Sequence, residues 1–309
     1  MEKSLISVVL GSYNRYEFLK LTIDSVRKEL IDIAHEIIVV DGGSTDGALK
    51  WLLEQKDIIT IVQHNRGEWL GKTIERRSWG YFMNLGFRAA GSKYVCMISD
   101  DCLIIPGAIK NGYNLFEERL NNNEKIGAIA FYWRDWSKED TFHVNYTLGN
   151  KMYVNHGMYL KNALKEVDYI DDQSYFFYNG DGDLCLKMWE KGHQVIDSEN
   201  SYIEHYPHAQ ESVRKTNYKK YNSDLKRYLE RWKNIFYNPI KDNKGGGKLK
   251  YFDDLTKTGE KFLLLHNEVI KENPSLFKKK STTVFTNKIK WKMNALRLKY
   301  LRFINKFKS

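Results

Sequence analysis

The sequence predicts an α/β protein built on a mostly parallel central sheet flanked by helices, followed by a helical C-terminal extension. Three observations carry this. Short apolar, partly β-branched runs alternate with segments of helical periodicity through the first two thirds of the chain, the pattern of strands joined by crossover helices. The loops that follow the strands are rich in Gly, Asn, Ser and Asp and all leave at one end of the sheet. One run, Lys93–Ile98, ends in adjacent carboxylates, Asp100 and Asp101, where an open α/β sheet keeps its ligand crevice.

Taken in order, Ile6–Leu10 is a first strand ending in Gly11-Ser12-Tyr13-Asn14-Arg15, and Phe18, Leu19, Thr22, Ile23, Val26 and Leu30 mark the apolar face of a helix. Glu36–Val40 is a second strand that breaks into Asp41-Gly42-Gly43-Ser44-Thr45-Asp46-Gly47. There the glycines permit tight backbone, and Ser44, Thr45 or Asp46 can cap the helix over Ala48–Glu54. Ile58–Val62 is a third strand, Ser78–Ala90 a helix, and Lys93–Ile98 the central strand. Pro106 opens a helix over Gly107–Leu120, and Ile126–Tyr132 is a further strand. Between Trp133 and Tyr178 no period is clear. Asp183–Lys191 reads as a short helix, Gly192–Ile196 leads into a strand, and Ser212–Tyr237 is a charged helical segment. Asn238–Lys248, with Pro239 and three consecutive glycines, is the linker candidate. The expected domains are therefore a catalytic domain over 1–237, a linker over 238–248 and a basic helical extension over 249–309.

At 309 residues, with 42% hydrophobic and 14% aromatic residues, the chain can bury a large core and is not a disordered protein. No apolar run reaches membrane-span length, and the N-terminus has no signal-peptide pattern, so a cytoplasmic protein is expected, soluble or on the inner membrane face. Cys96, Cys102 and Cys185 lack the spacing of a zinc site or a disulfide framework. The net charge of +10 is local: eleven of the 49 basic residues lie in Lys278–Ser309, which has no acid, leaving 38 basic against 39 acidic residues elsewhere. The body is nearly neutral and need not bind nucleic acid.

Hard divalent ions take oxygen ligands and bind diphosphates, so Asp100 and Asp101 read as a metal–diphosphate site, Mn²⁺ or Mg²⁺ being the expected cofactor. As a bare dipeptide the pair also fits a polar turn and helix cap. Five pieces in sequence order resolve this. They are the strand and loop SVVLGSYNR, Val39–Gly47 (VVDGGSTDG), Asn84-Leu85-Gly86 with Ala90-Gly91, Asp100-Asp101 with Pro106-Gly107, and Gly180–Leu186 (GDGDLCL). Together, over roughly residues 7–212, they resemble the inverting nucleotide-sugar glycosyltransferases of family 2, which have the Rossmann-like GT-A fold.

That resemblance implies a transferase that moves a sugar from a nucleotide-diphosphate donor, UDP being the commonest, to a glycan or lipid-linked acceptor in cell-envelope polysaccharide synthesis. By matching position it implies a nucleotide site of Tyr13, Asn14, Arg15, Asp41, Gly42, Ser44, Asn84 and Asp100, with Asp41 on the base or ribose. It implies metal ligation by Asp101, joined by His205, and general-base catalysis by Asp181. Inverting transfer needs a base for the acceptor hydroxyl and an electrophile for the leaving diphosphate. Asp183 would orient the base or the acceptor, and Trp133, Trp136 and Tyr159 would offer aromatic faces to the acceptor. Helix capping by Asp181 and Asp183, a structural His205 and core packing of the aromatics are the plainer readings of the same residues.

Two departures from the family pattern stand out. Ser99 occupies a position that is commonly acidic, and extra residues lie between Asn65 and Asn84, carrying Arg66, Lys72, Arg76 and Arg77. These basic residues could clamp a diphosphate or form a solvated helix face. In the tail, Ile289, Met293, Leu296, Tyr300, Phe303 and Phe307 line one helical face, flanked by Lys290, Lys292, Arg297 and Lys299. Such a helix suits an anionic membrane surface, or docking on its own catalytic domain or a second copy of the chain as a homo-oligomer. Two other functions fit parts of the sequence. A sugar nucleotidyltransferase would need a glycine-rich basic loop after the first strand, which Gly11–Arg15 does not supply. A non-enzymatic membrane or polyanion module fits the tail but not the ordered carboxylates.

Overall fold

The computed structural model describes residues 4–135, 139, 141–206, 211–240, 242, 249–251 and 271. Trp136, most of the expected linker and the basic amphipathic segment lie outside them.

The first four strands of the parallel core follow from runs that are apolar on both faces. β1 (Ile6–Ser12), α1 (Tyr16–Glu29), β2 (His35–Asp41), α2 (Ala48–Glu54) and β3 (Ile58–Val62) come first in the chain. A short hairpin, β4 (Glu68–Trp69) and β5 (Lys72–Thr73), precedes α3 (Trp79–Ala89) and β6 (Tyr94–Met97). Val8, Val9, Leu10, Ile37–Val40 and Tyr94–Cys96 are all fully buried, as strands covered by helices on both faces must be. β1 pairs in parallel with β2 and with β6, and β2 with β3. The order 3-2-1-6 reverses between β1 and β6, and at that switch point the loops after the two strands diverge and leave a crevice. α3 approaches β1 closely because residue 86 is glycine; a Cβ there would run into the Val9 side chain.

β7 (Cys102–Ile104), α4 (Ala108–Asn121), β8 (Ile126–Asp135), β9 (His143–Tyr146), a 3₁₀ turn over Leu148–Asn150, β10 (Met152–Tyr153), β11 (Gly157–Leu160) and α5 (Lys161–Glu166) follow. The irregular stretch of the sequence thus contains β11, which inserts antiparallel between β6 and β8. α6 (Gly180–Glu190), β12 (Gln194–His205), α7 (Glu211–Tyr218) and α8 (Tyr221–Arg231) complete the body. β12 runs parallel to β8 and antiparallel to β7. β13 (Leu249–Tyr251) then pairs with β9, and the Lys250 ammonium donates to Asp197 at 2.6 Å. The residues just after the expected linker therefore extend the central sheet, whereas the sequence placed them in a helical extension. Among the described residues no helix is long and apolar enough to cross a membrane.

Two side chains fix the loop that carries Asp100 and Asp101. The Thr22 hydroxyl donates to the Cys102 carbonyl at 2.7 Å and accepts from its N–H at 3.0 Å. Buried Glu29 accepts the N–H groups of Gly107, Ile109 and Lys110 at 2.8–3.0 Å. It satisfies the orphan donors at the start of α4, which Gly107, in a left-handed conformation, has no side chain to reach. Glu29→Ala should lower unfolding stability by about 3 kcal/mol, since three N–H donors, one of them buried, lose a charged acceptor; the urea midpoint checks this, and an unchanged midpoint would remove Glu29 from that role.

Candidate active site

The site forms where the loops after β1, β2 and β6 meet. Asn14 takes a left-handed conformation; its N–H donates to Ser44 Oγ at 2.9 Å and its side-chain carbonyl accepts from the Thr45 N–H at 2.7 Å. The first two loops are stitched together in this way. Asp41, expected to touch base or ribose, is instead fully buried. Its carboxylate accepts from the N–H groups of Gly43 and Ser44 and from the Ser44 hydroxyl at 2.6–2.8 Å. Asp41 and Ser44 thus build the loop, while Gly42 beside them faces the cavity. Asn84 is also structural: its amide pairs with both backbone groups of Ile170 at 2.8 and 3.1 Å, holding α3 to the loop before α6.

Two cavities adjoin. The first, about 240 Å³, is lined by Tyr13, Asn14, Arg15, Gly42 and Asp100, with Arg66, Arg76 and Arg77 from the extra segment. The second, about 690 Å³, contains Asp181, Trp133 and His205. Trp79, Ser99, Asn155 and Phe177 line both. The loop over 176–178 keeps its place because buried Asp224 of α8 accepts all three of its N–H groups at 2.9–3.2 Å.

At the junction, Arg15 Nη1 donates to Asp100 Oδ1 and Asp101 Oδ2, both at 2.7 Å. Burial pushes Asp100 up to about 6, against the pull of Arg15. Burial acts on Asp101 in the same sense, but the hydrogen bond to His205 and the charge of Arg15 outweigh it and hold the carboxyl below its ordinary value. Sheet register brings the partners together: His205 at the end of β12 lies beside Cys102 of β7 and Asp135 of β8. Its ring contacts Asp101 Oδ1 at 3.2 Å and Asp135 Oδ1 at 2.7 Å. These two carboxylates overcome burial and raise His205 to about 9.

The donor set fits a divalent ion. Asp101 Oδ1 and His205 Nε2 are separated by the distance expected of neighbouring ligands in an octahedral shell. Asp100 Oδ2 is buried with no hydrogen-bond partner among the described residues. No group of three His, Cys, Asp or Glu side chains converges on one point among those residues, so a bound ion would take its other ligands from diphosphate and water.

α6 carries the remaining pair of carboxylates on different faces. Asp181 lies in its first turn; the Gly182 N–H donates to Oδ1 at 2.8 Å, and Asn155 Nδ2 approaches Oδ2 at 3.4 Å. Burial raises Asp181 to about 6, opposed by the backbone N–H groups. Asp183 points inward, correcting its expected acceptor role: its Oδ1 accepts from Trp232 Nε1 at 2.9 Å and Tyr175 OH at 3.1 Å, and Arg231 lies 3.1 Å away. Tyr159 is likewise fully buried in β11 against Phe87 and offers no face to an acceptor. Trp133 does line the larger cavity, its ring 4.5 Å from that of His143. Sequence reasoning missed Trp79, Asn155, Phe177, Tyr178 and Tyr221; the run Tyr175–Tyr178 ahead of Gly180 was the available signal for two of them.

Residues 7–159 match the family model described as Glycosyl transferase family 2. The chain carries a family 2 glycosyltransferase domain. The mannosyltransferase PcManGT from Pyrobaculum calidifontis, solved with GDP-Man and Mn²⁺, has a TM-score of 0.53 and 14% identity, over 80% of this chain and 67% of its own. TarS from S. aureus gives a TM-score of 0.51 at 15% identity, over 76% of this chain and 41% of its own. A shorter TarS chain in complex with UDP-GlcNAc gives 0.50 at 15% identity, over 73% and 66%. At these identities the likeness establishes the fold, which is GT-A. Chondroitin synthase from Escherichia coli is 27% identical over 108 residues, which is 34% of this chain and 14% of that protein. The chain thus spans a small part of the length of this curated relative.

Proposed function

We propose that this glycosyltransferase moves a sugar from a nucleotide-diphosphate donor of the UDP type to a hydroxyl of a glycan or lipid-linked acceptor, in one inverting displacement. The observation that carries the reading is the position of Asp181: a carboxylate raised to about 6 in the larger cavity, which meets the smaller one along Ser99 and Asn155. The smaller cavity takes the nucleotide and the larger one the acceptor. Asp181 accepts the proton of the attacking hydroxyl as the acceptor oxygen bonds to the anomeric carbon, and the bonding pair to the diphosphate leaves with the nucleotide. Asn155 and the Gly182 N–H hold the carboxylate in place. Asp101 and His205 would hold Mn²⁺ or Mg²⁺, which when bound offsets charge building on the leaving diphosphate. Arg15 balances the two neighbouring carboxylates. Trp79, Trp133, Phe177 and Tyr178 give the acceptor chamber the aromatic faces that suit sugar C–H surfaces. Membrane attachment of the basic tail and a role in cell-envelope synthesis are further parts of this proposal.

The test is a screen of UDP-, GDP- and dTDP-sugars with Mn²⁺ or Mg²⁺ for hydrolysis and transfer. Metal-dependent release of one nucleoside diphosphate is the expected result. Absence of turnover with every donor and metal, together with absence of nucleotide binding, would overturn the reading.

A further inference from the structure

The segment absent from the compact family pattern is not a helix face. It is a closed hairpin: Glu68 pairs with Thr73 and Trp69 with Lys72, and the turn residues Leu70 and Gly71 both have positive φ, 50° and 74°, as a two-residue primed turn requires. The Ile74 N–H donates to the Gly67 carbonyl at 2.9 Å, and the Arg77 N–H to Asn65 Oδ1 at 2.6 Å. This closure brings Arg66 and Arg76, at the two ends of the hairpin, to the wall of the smaller cavity.

Their surroundings are those of cations awaiting an anion. Among the described residues neither makes an ion pair, whereas Arg15 in the same cavity is already shared between Asp100 and Asp101. The Arg66 guanidinium lies over the Tyr13 ring at 5.3 Å and that of Arg76 over Phe176 at 5.0 Å, contacts that orient the planar forks in advance. Arg76 Nη2 donates to Asn217 at 3.0 Å, but its buried Nε has no acceptor among the described residues. Burial and the nearby positive charge of Arg66 both depress the Arg76 pKa, so an anion between them would relieve the repulsion and supply the missing acceptor.

We propose that Arg66 and Arg76 form a diphosphate clamp that binds the nucleotide donor without a metal ion. The clamp rests on the nucleotide-sugar reading above and adds that donor capture and metal binding are separable. A neutral nucleoside gains nothing from it.

Calorimetric titration of the full chain in EDTA, with UDP and GDP and with uridine and guanosine as phosphate-free controls, tests this, alongside R66Q, R76Q and the double variant. The expected result is that one nucleoside diphosphate binds the wild type in EDTA and that the double variant weakens it at least tenfold while leaving the nucleoside unchanged. Arg76→Lys should recover only part of the loss, because a point charge does not reproduce the fork. R66Q keeps the test open if the double variant folds poorly, since the Arg66 guanidinium makes no hydrogen bond among the described residues; it should weaken the diphosphate alone by several-fold. Diphosphate binding in EDTA that is indifferent to these substitutions would overturn the clamp, as would binding that appears only with Mn²⁺. If neither nucleotide binds with or without Mn²⁺, the clamp falls together with the donor reading.

Discussion

Asp181→Asn should leave nucleotide binding intact and lower transfer by roughly 10²–10⁴-fold, the span that removal of a general base produces. The amide keeps the volume and can still face Asn155 and the Gly182 N–H, so the first turn of α6 should survive and the loss should fall on kcat. The pH profile gives a second handle. The base works ionised, and burial raises its pKa to about 6; kcat/KM of the wild type should therefore fall tenfold per unit below about pH 6 and level off above it. Asp100 also rises to about 6, which makes the variant's profile decisive. If the residual activity of Asp181→Asn keeps the same acid limb, the limb belongs to the Asp100 region and the base assignment is wrong.

Asp101→Asn should abolish the tightening of nucleotide binding by Mn²⁺ and reduce turnover by about 10²–10³-fold, comparable to loss of an electrostatic group acting on a leaving oxyanion. Asparagine keeps the size of a side chain that is almost fully buried, which avoids the cavity that alanine would leave and keeps an acceptor oxygen beside Arg15 and His205. Nucleotide affinity measured in EDTA should be unchanged, because Arg66 and Arg76 lie outside this carboxylate network. Titrations with and without Mn²⁺ separate the two contributions; a variant that still responds to Mn²⁺ as the wild type does would place the metal elsewhere.

The parallel core was legible because its signal is local. Ile6–Leu10, Glu36–Val40 and Lys93–Ile98 are short apolar runs between turn-forming loops, and each became a buried strand of the parallel core. β11 was not legible: Gly157–Leu160 enters the sheet through non-local pairing with β6 and β8, and four residues have no period of their own. The carboxylates on α6 show the same limit. Asp181 and Asp183 are two residues apart, about 200° around a helix, so one must face away from the other. Which one faces the cavity was decided by Trp232 and Arg231, some fifty positions downstream, which claimed Asp183. Asp41 and Asn84 matched the motif while their side chains serve loop and backbone, since a motif records residue type but not direction. Arg66 and Arg76 were visible as charges, but Leu70-Gly71 lacks the usual Asn-Gly or Asp-Gly signature of the hairpin that gathers them.

A single carboxylate-assisted displacement at the anomeric carbon is read out by the anomeric configuration of the first-formed product. Proton NMR of the transfer reaction, started from the donor found in the screen, reads it from the coupling constant of the new glycoside. Inversion is expected, an α-linked donor giving a β-linked product. Retention would contradict it, because one in-line attack by an acceptor hydroxyl deprotonated at Asp181 cannot preserve the configuration.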